Sequence, residues 1–220
     1  MGKLASGQDT FKALLRDEVA PFLRGHGLKG SGQNFRLPDP GGNLGLVNFQ
    51  KSNGNFGNRV RFYVNLSTIS SALWNWQVAY GYRLSREAPK EYHGHFRNRL
   101  ESLLPPDHRF RSGWEVGGDD VRAELLGAFG TLGLPWLREH LTDEAMRDTW
   151  LASIGDDVTL RGRVDWDNGC LLVVLLRQED RHGEAARLWA GSAVTRRRCP
   201  TVSARRRWSG SPPSNATRAR

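Results

Sequence analysis

Six histidines, two cysteines and 23 carboxylates are the groups through which this chain of 220 residues could do acid–base, nucleophilic or metal chemistry. Their spacing organises none of the three. His93-Gly94-His95 would put two imidazoles on one side of a strand, but the surrounding residues read as a helix start, where positions two apart diverge. No Cys pair or Glu stands beside them at ligand spacing, so no metal site is expected. Asp165-Trp166-Asp167-Asn168-Gly169 echoes a calcium loop, which wants Gly at its sixth position and Glu at its twelfth. Counted from Asp165, the twelfth residue is Leu176, and a turn before a helix accounts for the cluster. The paired carboxylates Asp119-Asp120, Asp156-Asp157 and Glu179-Asp180 each fall beside a helix end or turn, where capping employs them. There is no G-x-S-x-G elbow, and Cys170 opens an apolar helix, where a thiol is filler. Gly25-His26-Gly27-Leu28-Lys29-Gly30 spells G-x-G-x-x-G. A helix precedes it and a strand follows, the reverse of what a pyrophosphate site needs. Nothing requires an enzyme, the balance leans against one, and no cofactor is expected.

What remains is binding chemistry. Asn48 and Gln50 point to one face of the stretch LGLVNFQK, and Asn65 lies on the polar face of RVRFYVNL. Lys51, Arg61, His95 and Arg99 fall nearby in this reading, completing a candidate binding face. Amides on a sheet are costly to bury unpaired. They either satisfy one another in an internal network or meet a partner, and both readings stand.

The elements that must position these residues follow from hydrophobic periodicity. Phe11, Leu14, Leu15, Val19, Phe22 and Leu23 form one helical stripe over 9–25, with Asp9 or Thr10 as N-cap, a kink at Pro21 and a stop at Gly25 and Gly27. Period two then takes over. Leu44–Lys51 and Arg59–Leu66 read as an antiparallel hairpin across the turn-rich 52–58, with shorter strands at 34–37 and 109–116. Glu91–Leu104 reads as a helix stopped by Pro105-Pro106. The second half is mainly helical: one helix from Asp119-Asp120, another opened by Pro135, a third from Thr142 through Trp150, and a helical hairpin over 170–178 and 184–190. No internal repeat recurs at a fixed period. The fold class is α+β: an N-terminal helix, a small antiparallel sheet of about four strands, a mostly helical C-terminal half and a disordered tail. The expected organisation is an α+β domain over 1–150, a helical hairpin extension over 151–190 and an Arg-rich tail over 191–220.

Charge belongs to that tail. The net charge is +9, and residues 191–220 hold eight Arg and no Asp or Glu, so removing them leaves +1. Nucleic-acid binding is therefore expected only weakly, through 191–220. Of 32 basic residues only five are Lys, a bias that commonly follows base composition. The longest apolar run, Cys170–Leu176, is far short of the ~20 residues a bilayer needs, and residues 1–10 hold no apolar signal core. The start MGKLAS matches a short acylation pattern, for which a frayed terminus is the simpler account. With two cysteines and no disulfide framework, the expectation is a cytoplasmic protein with no membrane association.

Several stretches carry a resemblance. They are Phe22-Leu23-Arg24-Gly25-His26-Gly27-Leu28-Lys29 with Asn34-Phe35-Arg36, then Val47-Asn48-Phe49-Gln50-Lys51-Ser52 and Phe62-Tyr63-Val64-Asn65-Leu66. His95-Phe96-Arg97-Asn98-Arg99-Leu100 and Gly113-Trp114-Glu115-Val116 complete it. Together they resemble a bacterial family, the domain of unknown function DUF4304, over roughly residues 9–150. Leu28, where the pattern more often has Phe, and Pro21 depart from it. The resemblance implies an α+β fold and no established activity. The functional expectation is a protein–protein interaction or accessory role, such as an immunity-type partner of a bacterial toxin. The alternative is a small-molecule-binding or unrecognised enzymatic domain using Gln50, Asn65, His95 and Arg99. A deep pocket at those four would favour the alternative, and a flat polar face a protein partner.

Overall fold

The computed structural model describes residues 6–55, 58–79, 89–117, 121–154 and 166–191. The chain enters through α1 (Gly7–Ala13), capped by Ser6, whose hydroxyl accepts from the Asp9 amide at 3.2 Å. Ser6 takes the capping place expected of Asp9 or Thr10. The helix widens into a π-helical stretch, Leu14–Val19, and continues as α2 (Ala20–Gly25). Pro21 stands just inside α2. It lacks an N–H and crowds the carbonyl four residues back, and the wider π turn before it gives that carbonyl room. His26 closes the helix and Gly27, at φ 92°, turns the chain.

Six strands follow: β1 (Lys29–Ser31), β2 (Asn34–Pro38), β3 (Leu44–Lys51), β4 (Val60–Ile69), β5 (Phe96–Arg99) and β6 (Trp114–Val116). All pair antiparallel in the order β1-β2-β3-β4-β5, with β6 on the same edge of β4 as a separate segment. β5 covers Asn65–Thr68 and β6 covers Val60–Phe62. In the gap between them the Val64 amide donates to Glu101 Oε1 at 2.8 Å, so a side chain completes the ladder where no strand reaches.

The inner face of the sheet carries Phe35, Val47, Phe49, Val60, Phe62, Val64 and Leu66, all buried. Phe49 meets Phe62 at 6.3 Å and Phe129 at 5.7 Å, and Phe11 meets Phe62 at 5.1 Å. Phe129 comes from a second long helix built like the first: α5 (Arg122–Ala128), a π-helical stretch Phe129–Gly133, and α6 (Leu134–Glu139) with Pro135 near its start. A second hydrophobic cluster joins α3 (Ser71–Ala79), α7 (Asp143–Ile154), α8 (Trp166–Gln178) and α9 (His182–Gly191) through Leu73, Trp76, Met146, Trp150, Leu172, Leu176 and Leu188. The half-buried Phe96 packs against both clusters.

The α+β class and its layout stand, but several local expectations do not. Glu91–Leu104 is not one helix: it is a 3₁₀ turn (Glu91–His93), strand β5 and a single helical turn α4 (Leu100–Leu103). The apolar positions Phe96, Leu100, Leu103 and Leu104 fit a helical stripe, and pairing with β4 overrode it. Two of the six strands, β1 and β5, go beyond the four expected. The strand at 109–116 shrinks to Trp114–Val116, with Phe110 stacked on Trp114 at 4.9 Å from a turn. Pro135 stands at the start of α6 as expected, but α6 continues the helical residues 122–133 without a break and does not open a new helix. Trp166–Gly169, expected as a turn, is the first turn of α8. Asp119-Asp120, Asp156-Asp157, Asp165 and the tail from residue 192 lie outside the described residues.

Candidate functional site

The outer face of the sheet is where the polar side chains collect. Register sets Ser31 against Asn34, Asn34 against Asn48, Asn48 against Asn65 and Asn65 against Arg99, one row running across five strands. Successive strand residues alternate faces, so these pairs share a side with Gln50 and Tyr63, the next opposed pair. The amides are linked: Asn48 Nδ2 donates to Asn34 Oδ1 at 2.8 Å, and Asn65 Nδ2 to Gln50 Oε1 at 2.9 Å and, more weakly, to Asn48 Oδ1 at 3.4 Å. Asn65 is only 6% exposed, whereas Asn34 and Gln50 are exposed. The network thus fastens the buried member and leaves its outer members with donor and acceptor capacity facing solvent.

Arg99 closes the row. Its guanidinium lies over the Tyr63 ring, 4.8 Å from the centroid. A planar cation stacked on an aromatic ring keeps its N–H edge available for a carboxylate. Arg61 is exposed and stands at 4.0 Å from Glu115, the outer limit of an ion pair. Its backbone N–H and C=O are both held by the Asn55 amide, at 2.8 and 2.9 Å, which extends the hairpin by one side-chain-made pair.

Lys51 sits on the opposite side of β3 from Gln50, at the end of the strand, where its ammonium donates to Gln8 Oε1 at 2.8 Å. An open, polar recess of about 470 Å³ spans this end, lined among others by Gln8, Gln33, Asn48, Gln50, Lys51 and Asn53.

His95 does not join Gln50, Asn65 and Arg99. It is buried, its Nδ1 accepting from the Ser70 amide at 3.1 Å, which places the proton on Nε2 for donation to Gln77 Oε1 of α3 at 2.9 Å. Desolvation pushes its pKa down to about 4, so it is a neutral structural link between β4 and α3. A second buried titratable group was invisible in sequence. Glu101, read as a helix position, is 3% exposed and its pKa is pushed up to about 7, by burial first and against the Val64 and backbone hydrogen bonds. Its Oε2 and the Trp114 indole N–H are both buried without a hydrogen-bond partner. The indole is near enough to favour the carboxylate slightly, yet outside hydrogen-bonding geometry.

Of the seven residues singled out, Asn48, Gln50, Asn65 and Arg99 form one contiguous surface, Arg61 flanks it, Lys51 borders it and His95 is apart. Asn34 and Tyr63 belong to the surface and were missed. Asn34 was placed in a strand without a register, and register alone sets it beside Asn48. Among the described residues no group of three or more His, Cys, Asp or Glu side chains could hold a metal ion, and no helix is long and apolar enough to cross a membrane.

Comparison with curated proteins and with solved structures finds no match to the chain. Comparison with protein families does: residues 19–139, more than half of the chain and all six strands, match DUF4304. The chain belongs to this family, described as a domain of unknown function.

Proposed function

We propose that this chain is a binding domain, an accessory or immunity-type protein, whose outer sheet face engages another protein. The observation that carries the reading is the row Asn34–Asn48–Asn65–Arg99 with Gln50 and Tyr63 beside it. Its inner amides are fixed by one another, and its outer amides and a stacked guanidinium are presented on rigid strands. Such a surface suits a protein partner, since Tyr and Arg are favoured anchors and prepositioned amides add directional hydrogen bonds at low entropic cost. Of the four residues of the small-molecule alternative, His95 is buried against Ser70 and Gln77, apart from Gln50, Asn65 and Arg99, which favours the protein reading over that version of it.

The test is affinity capture from the native host with the full chain, nuclease-treated to remove material held by the basic tail. A stoichiometric protein retained by the wild type should be lost on Arg99→Glu and weakened by roughly 1–2 kcal/mol on Gln50→Ala. Retention of the same protein by Arg99→Glu at wild-type affinity would sink the assignment of this face.

A further inference from the structure

A second cavity adjoins the amide recess and shares Gln33 and Lys51 with it. It is a cleft of about 330 Å³ between the first helix and the β1–β2 turn. Phe11, Leu15 and Ala20 line its base, and Lys12, Arg16, Arg24 and Lys51 supply its charge. Among the described residues no carboxylate lines either cavity. Three of the four cations are partly engaged: Arg16 holds its neighbour Asp17 at 2.6 Å, Arg24 donates to the Gly30 carbonyl at 2.8 Å and Lys51 to Gln8 at 2.8 Å. Lys51 has donors left beyond Gln8, and the Lys12 ammonium has no hydrogen-bond partner among the described residues. The nearby acid Asp9 is itself tied to the Ser6 hydroxyl at 2.7 Å. The result is a cleft with surplus positive charge beside a carboxamide-lined recess, the two sharing Gln33 and Lys51 in their walls.

We propose that these two adjoining cavities together bind a sugar phosphate, a ligand class separate from the protein partner of the outer face, with Gln50 on the border of both sites. Lys12 and Lys51 take the phosphate, with Arg16 at the rim. The hydroxyls fall to the amides of Gln8, Gln50 and Asn53, since a carboxamide both donates and accepts, as a hydroxyl does. The same lining argues against a nucleotide. A base needs a stacking surface, and among the described residues the recess that would receive it has no aromatic wall, Phe11 being buried at the base of the cationic cleft.

Calorimetric titration of the full chain with glucose 6-phosphate, glucose 1-phosphate, ribose 5-phosphate, glucose, inorganic phosphate and AMP tests this. At least one sugar phosphate should bind about tenfold tighter than either glucose or inorganic phosphate, because both halves of the cavity are then used. Lys12→Gln and Asn53→Ala, both at exposed positions, should each weaken that binding several-fold without moving the melting temperature. Arg187→Gln, which removes an equal charge on α9, and Arg99→Glu, which disables the proposed protein-binding face, should leave it unchanged. No binding by any of the three sugar phosphates, equal binding of inorganic phosphate, or tighter binding of AMP would overturn the proposal. So would full affinity in Lys12→Gln. Loss of the protein partner in Arg99→Glu with sugar-phosphate binding intact separates the two sites.

Discussion

At the scale of single residues, two buried titratable groups act on stability in opposite directions. Glu101 has a folded pKa of about 7 against an ordinary 4.5. Between those values the folded state holds the proton that the unfolded state has lost, so stability falls as pH rises, by roughly 3 kcal/mol over the window. His95 has a folded pKa of about 4 against 6.5. Between these the unfolded state holds the extra proton, so stability rises with pH by a similar amount. The two slopes oppose one another from about pH 4.5 to 6.5 and nearly cancel. Single variants should uncover them. Glu101→Gln keeps an oxygen for the Val64 amide, and its urea stability should climb with pH across that window. His95→Asn keeps an acceptor for the Ser70 amide, and its stability should decline instead. Variants whose pH profiles run parallel to the wild type would refute this assignment. Glu101→Ala, by contrast, orphans the Val64 amide at every pH and should cost about 1–3 kcal/mol.

At the scale of elements, the segment Glu91–His95 is laid against β4 by contacts that leave no spare volume. Ser67 Oγ donates to the Glu91 carbonyl at 2.9 Å, the His95 amide donates to the Thr68 carbonyl at 2.9 Å, and Arg97 holds the Glu91 carboxylate at 3.0 Å. A Cβ at Gly94 would collide with the side chain of Ser67. Gly94→Ala should therefore cost about 1–3 kcal/mol by pushing the segment off the strand, read as a lowered urea midpoint. A midpoint equal to wild type would mean that the segment yields freely. This region also marks where the sequence stopped being legible. The hairpin β3–β4 was readable because one of its faces is uniformly apolar and its turn is rich in Asn and Gly. β5 was not, because Phe96, Leu100, Leu103 and Leu104 also satisfy a helical stripe, and only the vacant edge of β4 decides between the two. The amides of the site were legible as types on a face, but Asn34 and Tyr63 required register, which no single strand encodes. A likeness between the two long helices is equally hard to read from sequence. Pro21-Phe22-Leu23-Arg24-Gly25-His26 and Pro135-Trp136-Leu137-Arg138-Glu139-His140 share the pattern P-aromatic-L-R-x-H. Each copy follows a π-helical stretch and ends on a histidine whose Nδ1 donates to the aromatic residue's carbonyl, at 2.9 and 2.8 Å. A single pair separated by a whole sheet has no period to detect.

For the whole molecule, the family match ends at residue 139, but packing does not. Leu73 and Trp76 of α3, inside the matched region, are buried against the cluster built by α7, α8 and α9. A chain ending at residue 142 should expose them, bind a hydrophobic dye and melt well below the full chain. Unchanged melting would show that the first core stands alone. The first cluster backs the inner face of the sheet and the second meets it at Phe96, leaving the outer row Asn34–Asn48–Asn65–Arg99 exposed at its rim and rigid beneath. Photocrosslinking tests whether that surface is where a protein partner docks. A photoreactive side chain is placed at Arg99 or Gln50 on the face, or at Asn75 or Val78 on the exposed side of α3 as controls, and irradiated in the native host. One discrete protein adduct is expected from positions 99 and 50 and none from 75 and 78. The same adduct from all four positions, or adducts from the α3 controls alone, would contradict it.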